Sequence, residues 1–436
     1  MTVPHDKPSE SGNEMNTQSN DHGKISFALK NAKVNEHYAE TLQIAGESDT
    51  HKISIKGVAF SVDAGLAAQP DNFSIISGVP HKSGEISVTV SYGFQDAKAD
   101  DQILTSDFVL YINPDPKSLW KNIEPDKNNP YFKDNTDKIT LHGSDNNVLL
   151  AASRRGRSHE HVGSFRDDDS LIDYAQGWEI IAVADGAGSA KNSRKGSELA
   201  VHQSVAFLKA ALQTGGARIE IEAATWFVHQ NESPYKVKSA LYEVLGRAAF
   251  AAVKAIEEEA ASKNASAKEY ATTFMLAVHK KMSFGHFFAT YWVGDGAVAV
   301  YHKGNYVELL GEVDSGDFAG QTCFLDKQVM TAEDVMKRLR FTVREDFSGM
   351  ILMTDGVSDP FFETDSNLLK LEKWDALWAD IEPLLSDTMT AADKLLSWLT
   401  FWSPGNHDDR TIAVLYKPEN SFLTTEHTEF TEEQRK

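Results

Sequence analysis

Aspartates recur in four short segments of the chain: Arg166-Asp167-Asp168-Asp169-Ser170, Asp185-Gly186-Ala187-Gly188-Ser189-Ala190, Thr354-Asp355-Gly356-Val357-Ser358-Asp359 and Asn406-His407-Asp408-Asp409-Arg410-Thr411. Carboxylates gathered in one place repel one another unless a cation neutralises them. An all-oxygen donor set with no cysteine and little histidine suits hard ions such as Mg2+ or Mn2+ rather than zinc. The chemistry these residues could do is therefore that of divalent ions held by acids.

Something must bring the acids together, and the flanking residues suggest what. Apolar runs precede the acid at Trp178 to Ala184 and Met350 to Met353, and one follows it at Ile412 to Tyr416, as expected if buried strands deliver aspartates to one end of a sheet. Ser233-Pro234 has the form of an N-cap followed by proline, after which Val237, Ala240, Leu241, Val244, Leu245, Ala248, Ala252 and Ile256 recur at helical spacing. Ala271 to Val278 and Phe287 to Val293, with the Gly294-Asp295-Gly296 turn, read as a pair of strands joined as a hairpin. A helical region spans Trp374 to Trp398.

The chain has 436 residues, a formal net charge of -21 and one cysteine, Cys323. This length predicts more than one domain. The charge argues against nucleic acid or an anionic membrane as partner, and an acidic protein that handles phosphate needs metal ions to focus positive potential. One cysteine excludes an intramolecular disulfide framework and fits a reducing compartment. The first residues lack the apolar core of a signal peptide, and no apolar run approaches the ~20 residues of a membrane span, so a cytoplasmic protein is expected.

Composition divides the chain. Residues 1–23 are polar and read as disordered. Residues 24–113 show short alternating stretches, Ile53-Ile55, Phe73-Ile75, Ile86-Val88-Val90-Tyr92 and Phe108-Leu110-Ile112, separated by turn residues, the pattern of a small antiparallel β-sandwich. Within it, Phe73 to Pro80 and Gly84 to Val90 resemble immunoglobulin-like domains of bacterial proteins. Residues 114–143, with four prolines, read as a linker, with Trp120, Tyr131 and Phe132 as candidates to pin it down. Residues 144–417 carry the acids, and residues 418–436 form a polar tail.

Val183 to Ala190, Val293 to Gly296, Thr354 to Asp359 and His407 to Thr411 follow one another in the order and approximate spacing seen in metal-dependent type 2C (PPM) protein phosphatases. Gly156-Arg-Ser-His159 is similar to the entry motif of the family's bacterial branch. The resemblance covers roughly Val148 to Tyr416. It implies an α+β fold in αββα layers, two antiparallel sheets flanked by helices, and a bacterial signalling enzyme that hydrolyses phosphoserine and phosphothreonine in proteins, opposite a serine/threonine kinase. It also implies two Mn2+ or Mg2+ ions. Asp185 would bridge them, and the Gly186 carbonyl with Asp168 or Asp169 would complete one site. Asp355 and Asp408 would complete the other, and Asp359 would serve a third, weaker ion. Counting from Gly156 selects Asp168, whereas the acid-Asp-Ser ending selects Asp169, and both stand as candidates. Two ions about 3.5 to 4 Å apart can activate a shared water for in-line attack at phosphorus.

The chain departs from the family at two positions. Ala187 occupies the place of a histidine that could protonate the leaving group, so the general acid is unassigned. His159 stands where relatives carry a phosphate-binding arginine; it is either a phosphate contact titrating near neutral pH or a buried histidine that fixes the loop. Arg154, Arg155 and Arg157 are nearby candidates. Asp295 reads as a hairpin-turn residue, Asp409 and Arg410 as a local pair or cap, and Trp398, Phe401 and Trp402 as core. A cysteine phosphatase is disfavoured because the sixth residue after Cys323 is Val329, not arginine, and Lys195-Gly196-Ser197 lacks the glycine-rich loop of a P-loop. Two further readings stay open: a catalytically silent phosphatase fold used for binding or scaffolding, and a phosphatase of a small phosphorylated molecule.

Overall fold

The computed structural model describes residues 25–46, 53–94, 103–229, 233–314 and 322–418. The expected disordered N-terminus and most of the polar tail lie outside the described residues. The chain forms two compact units that divide between Trp120 and Lys121.

The first unit is all-β. Ala32–Lys33, Leu104–Asn113, Gly84–Phe94 and Ile53–Phe60 make one sheet, and Tyr38–Thr41, Asn72–Gly78 and Leu66–Gln69 another. Pairing is antiparallel except between Ala32–Lys33 and Leu104–Asn113, which run parallel. Alternation places Ile86, Val88, Val90 and Tyr92 in the core opposite Phe108, Leu110 and Ile112. The period is displaced in Asn72–Gly78: Phe73 is exposed and Ile76 is the buried residue.

The second unit has four layers. Thr136–His142, Val148–Arg154, Arg410–Tyr416, Gly349–Met353, Ala297–His302 and Tyr306–Leu309 form, in that order, a six-stranded antiparallel sheet. Asp169–Ala175, Trp178–Ala184, Phe274–Met282, Gly285–Val293 and Arg340–Arg344 form a five-stranded one. The last strand among the described residues, Arg410–Tyr416, thus lies inside its sheet between the two strands Val148–Arg154 and Gly349–Met353.

Strands buried on both faces read as unbroken apolar runs, which is what Ile180 to Ala184 and Ile412 to Leu415 show. Leu149, Ala151, Val183, Met275, Val298, Leu352 and Ala413 fill the space between the sheets. The outer face of the five-stranded sheet packs on the helices Ser193–Val228, Tyr235–Leu241 and Arg247–Ser262; that of the six-stranded sheet packs on Asp355–Phe362, Leu371–Leu385 and Ala391–Trp398. No helix among the described residues is long and apolar enough to cross a membrane.

Three expectations are corrected. Thr136–His142 is a strand paired along its whole length with Val148–Arg154, so the span 114–143 is not all linker. The stretch before that strand is also built into the second unit, because Lys133 forms a 2.8 Å ion pair with Asp169 and Tyr131 bonds Glu259 and Tyr270. Prolines there break helices without excluding packed extended chain. Finally, Gly294-Asp295-Gly296 does not close a hairpin: Phe274–Met282 and Gly285–Val293 are joined at their other ends, and the Asp295 turn carries the chain from the five-stranded sheet to Ala297–His302 in the six-stranded one.

Candidate metal centre

Asp185 directly follows the strand Trp178–Ala184, an inner strand of the five-stranded sheet. Its backbone is clamped, because its N–H donates to Thr273 Oγ1 at 2.9 Å and its carbonyl accepts from Thr273 N and Thr272 Oγ1 at 2.7 and 2.8 Å. The next residue, Gly186, passes so near Asp167 that an added Cβ would lie 2.7 Å from the Asp167 carbonyl oxygen. That approach brings the Asp185 and Asp168 segments together.

Asp355 opens the helix Asp355–Phe362 straight after the strand Gly349–Met353. Asp295 arrives from the inter-sheet turn, where Gly294 and Gly296 both have positive φ, 105° and 86°, a geometry that side chains disfavour. Carboxylate oxygens of Asp185, Asp295 and Asp355 lie within 4.8 Å of one another. Asp295 Oδ2 accepts from Thr322 at 2.6 Å, while its buried Oδ1 has no partner. Reading Asp295 as a hairpin residue is thus corrected. The Gly-Asp-Gly signal was visible, but it does not say that the turn spans two sheets.

Asp168 is completely buried. Its Oδ2 accepts from Thr354 Oγ1 at 2.9 Å and Thr411 Oγ1 at 2.6 Å, and its Oδ1 has no donor. Burial first, then Asp409, raises its pKa to about 7. Asp185 is held well above the usual carboxylate range by burial and by Asp168, Asp355, Asp408 and Asp295. Asp355 is raised in the same way, by burial and then Asp295 and Asp408. Asp169 turns elsewhere, its carboxylate pairing with Lys133 at 2.8 Å.

Asp408 is 56% exposed and groups with His159 and Asp409. Asp359 is exposed one turn after Asp355 and stands outside the close trio. Asp409 is the organiser of this corner: buried, it accepts from the N–H groups of Gly156 and Asp167 and does not pair with Arg410. Gly156 in turn lies against the Asp408 backbone, where no side chain would fit.

His159 sits among acceptors and acids. Its Nδ1 is 2.5 Å from the Phe165 carbonyl and 3.3 Å from Asp409 Oδ2, and its Nε2 is 3.9 Å from Asp408 and 4.0 Å from Asp167. Burial opposes its charge, but Asp409, Asp167 and Asp408 outweigh this and raise its pKa to about 10. These acids oppose a titration near neutral pH, and Nδ1 faces the Phe165 carbonyl and Asp409. Arg410 donates to the carbonyls of Leu399, Phe401 and Asn406 at the end of the helix Ala391–Trp398, and burial with Arg157 and Arg154 nearby lowers its pKa to about 10. Trp398, Phe401 and Trp402 are half-buried, Trp398 packing against the core on the helix side of the six-stranded sheet. Cys323, also half-buried, lines a cavity of about 750 Å³ with Ser189 and Thr322.

Two antiparallel sheets sandwiched between helices, with aspartates converging at the sheet ends, define an αββα phosphatase architecture. The family model described as protein phosphatase 2C matches residues 155–400, more than half of the chain, and the chain belongs to that family. Among solved structures, it is similar to the S. agalactiae serine/threonine phosphatase, with 17% identity over 65% of this chain and 100% of that one and a TM-score of 0.38. It is also similar to the catalytic domain of the serine/threonine phosphatase PstP in complex with two manganese ions, with 15% identity, 63% and 99% coverage and a TM-score of 0.36. A phosphatase from Toxoplasma gondii has 11% identity, 65% and 96% coverage and a TM-score of 0.42. No curated protein matches the chain.

Proposed function

We propose that this phosphatase hydrolyses phosphoserine and phosphothreonine in proteins using two Mn2+ or Mg2+ ions, held by Asp168, Asp185, Asp295, Asp355, Asp408 and the Gly186 carbonyl, with Asp359 available to a third. The observation that carries this reading is the convergence of Asp168, Asp185, Asp295 and Asp355 with no lysine or arginine paired to them among the described residues, and with an oxygen of Asp168 and one of Asp295 buried without a donor. Buried carboxylates left so are costly unless cations neutralise them. The donors are all hard oxygens, which fits the proposed ions. When bound, such ions lower the pKa of a water and offset charge on the phosphoryl oxygens.

The chain's own residues fix the geometry. Thr354 and Thr411 orient Asp168, Thr272 and Thr273 hold the Asp185 backbone, Thr322 holds Asp295, and the Asp409–His159 pair secures the loop from Gly156 to Asp168. We extend the reading to a cytoplasmic enzyme opposed by a serine/threonine kinase, with an immunoglobulin-like first unit; the acidic charge and single cysteine support the location. A phosphothreonine peptide assayed with Mn2+ and with chelator tests the activity. Turnover is expected only with the ion. Metal binding without turnover would favour the silent scaffold instead.

The raised carboxylates also predict a pH dependence. A folded-state pKa near 7 for Asp168, with Asp185 and Asp355 raised as well, stabilises the chelated fold at low pH, and that contribution is lost as pH rises through about 7. Ion binding needs the deprotonated acids, so its benefit grows over the same interval, reaching about 2.7 kcal/mol at a hundredfold excess over Kd. Buried His279 and His286, the latter lowered to about 3 by burial and His279, act oppositely but are common to both states. The difference in Tm between Mn2+-loaded and chelated protein should therefore widen from pH 5 to pH 8. A difference that stays constant would contradict the assignment.

A further inference from the structure

Side-chain alternation puts a second charged feature on the far face of the six-stranded sheet. Thr411 donates to Asp168 and bonds its cross-strand neighbour Ser153, whereas Ala152 and Ile412 pack against the helices, and Arg154 and Arg410 continue that helix-side face. These two arginines are direct cross-strand partners, an arrangement that like charges make unfavourable. Arg155 and Arg157 join them around a cavity of about 30 Å³, closed by Thr400, with Glu160 as its one acid. That volume admits about two waters, or the leading oxygens of one compact oxyanion.

The carbonyls ending the helix Ala391–Trp398 explain part of this cluster. Arg157 donates to Thr400 and Phe401, and Arg410 to Leu399 and Phe401. They do not explain the rest. Arg410 Nε is buried without an acceptor, as is Nε of Arg155, whose terminal nitrogens donate to the Ser164 carbonyl and Asn122, and the Arg154 guanidinium makes no hydrogen bond or ion pair among the described residues. Unspent N–H donors in buried guanidinium groups need an acceptor, and charge-assisted bonds to an oxyanion are the strong way to supply one.

We propose that this arginine pocket binds a phosphoryl group other than the one hydrolysed. The pocket adjoins the acid cluster along the chain, since Gly156 lies against Asp408, but the sheet separates it from Asp168. The choice of phosphoryl among oxyanions rests on the phosphatase reading; the presence of an anion site does not. Two sources share the chemistry: a second phosphorylated residue on the substrate, and inorganic phosphate released as product.

Calorimetric titration of the full chain with inorganic phosphate in chelator, where no metal site contributes, tests the site directly. Wild type should bind, Arg154→Gln should bind about tenfold or more weakly, as loss of one charged hydrogen bond implies, and Arg154→Lys should retain most of the affinity. With Mn2+ present, a kcat/KM preference for doubly over singly phosphorylated peptide that Arg154→Gln abolishes identifies the substrate as source, and weakened phosphate inhibition alone identifies the product. No binding by wild type, equal binding by wild type and Arg154→Gln, or a higher Tm in Arg154→Gln with unchanged phosphate binding would overturn the proposal. Phosphate binding in chelator by a chain that hydrolyses nothing would leave this site standing while the catalytic reading falls.

Discussion

Asp185→Asn is expected to abolish divalent-dependent turnover and, in chelator, to raise the melting temperature. The two effects have one cause. Asp185 is buried and repelled by Asp168, Asp355, Asp408 and Asp295, so without ions its charge is a burden on the fold and an amide removes it. With ions, the same charge is the attraction that holds them between the acids. Metal-ion catalysis supplies several kcal/mol of transition-state stabilisation, and each ~1.4 kcal/mol lost is tenfold, so kcat/KM should fall by at least about 10³. The Tm gain that Mn2+ gives wild type should shrink with it. Differential scanning calorimetry with and without Mn2+, beside peptide kinetics, checks both arms. A variant that keeps its activity, or one destabilised in chelator, would remove Asp185 from the proposed centre.

A chain beginning at Lys121 is expected to fold and hydrolyse phosphate, whereas one beginning at Asn135 is expected to do neither. The residues between them include Lys133, whose ammonium donates to the Asp168 and Arg194 carbonyls and to Ser197 Oγ and pairs with Asp169. Removing one partner of a buried pair costs about 3 to 5 kcal/mol. The stability available is only about 5 to 15 kcal/mol. The shorter chain also loses the Tyr131 hydroxyl, 2.6 Å from Glu259 and 3.1 Å from Tyr270. Circular dichroism melts and activity of the two truncations decide the matter. An active fragment from Asn135 would show that the Lys133 segment is dispensable.

Much of this was legible because acids beside apolar runs are a local pattern. Trp178 to Ala184 and Ile412 to Leu415 could only be buried strands, and the eight residues from Val237 to Ile256 taken as one helical face are all buried. The longest helix, Ser193–Val228, escaped because Gly215-Gly216 interrupts it. Gly216 is small where the Trp178 indole closes in, and an added Cβ would lie 3.1 Å from its nitrogen. The buried stripe Val201, Val205, Leu208, Leu212, Gly216, Ile219 and Ala223 is regular once that glycine counts as core. In the site, Asp295, Asp409 and Lys133 act through partners more than 20 residues away, and no local spacing records such partners. The proposed choice of Asp168 over Asp169 likewise depends on where Lys133 lies.

The inward position of the strand Arg410–Tyr416 bears on how the enzyme is made. Thr411, which orients Asp168, and Asp408 and Asp409 all arrive with one late segment, and that segment must insert between Val148–Arg154 and Gly349–Met353 rather than add at an edge. A ribosome extending the chain at about 5 to 20 residues per second would therefore display the earlier helices and both flanking strands before the gap between them is filled. Until then the six-stranded sheet has two open seams, and the carboxylates lack their final members. A chain clipped before Asp408 should consequently be silent towards phosphoproteins, and catalytic competence should begin only once Arg410–Tyr416 has entered its sheet.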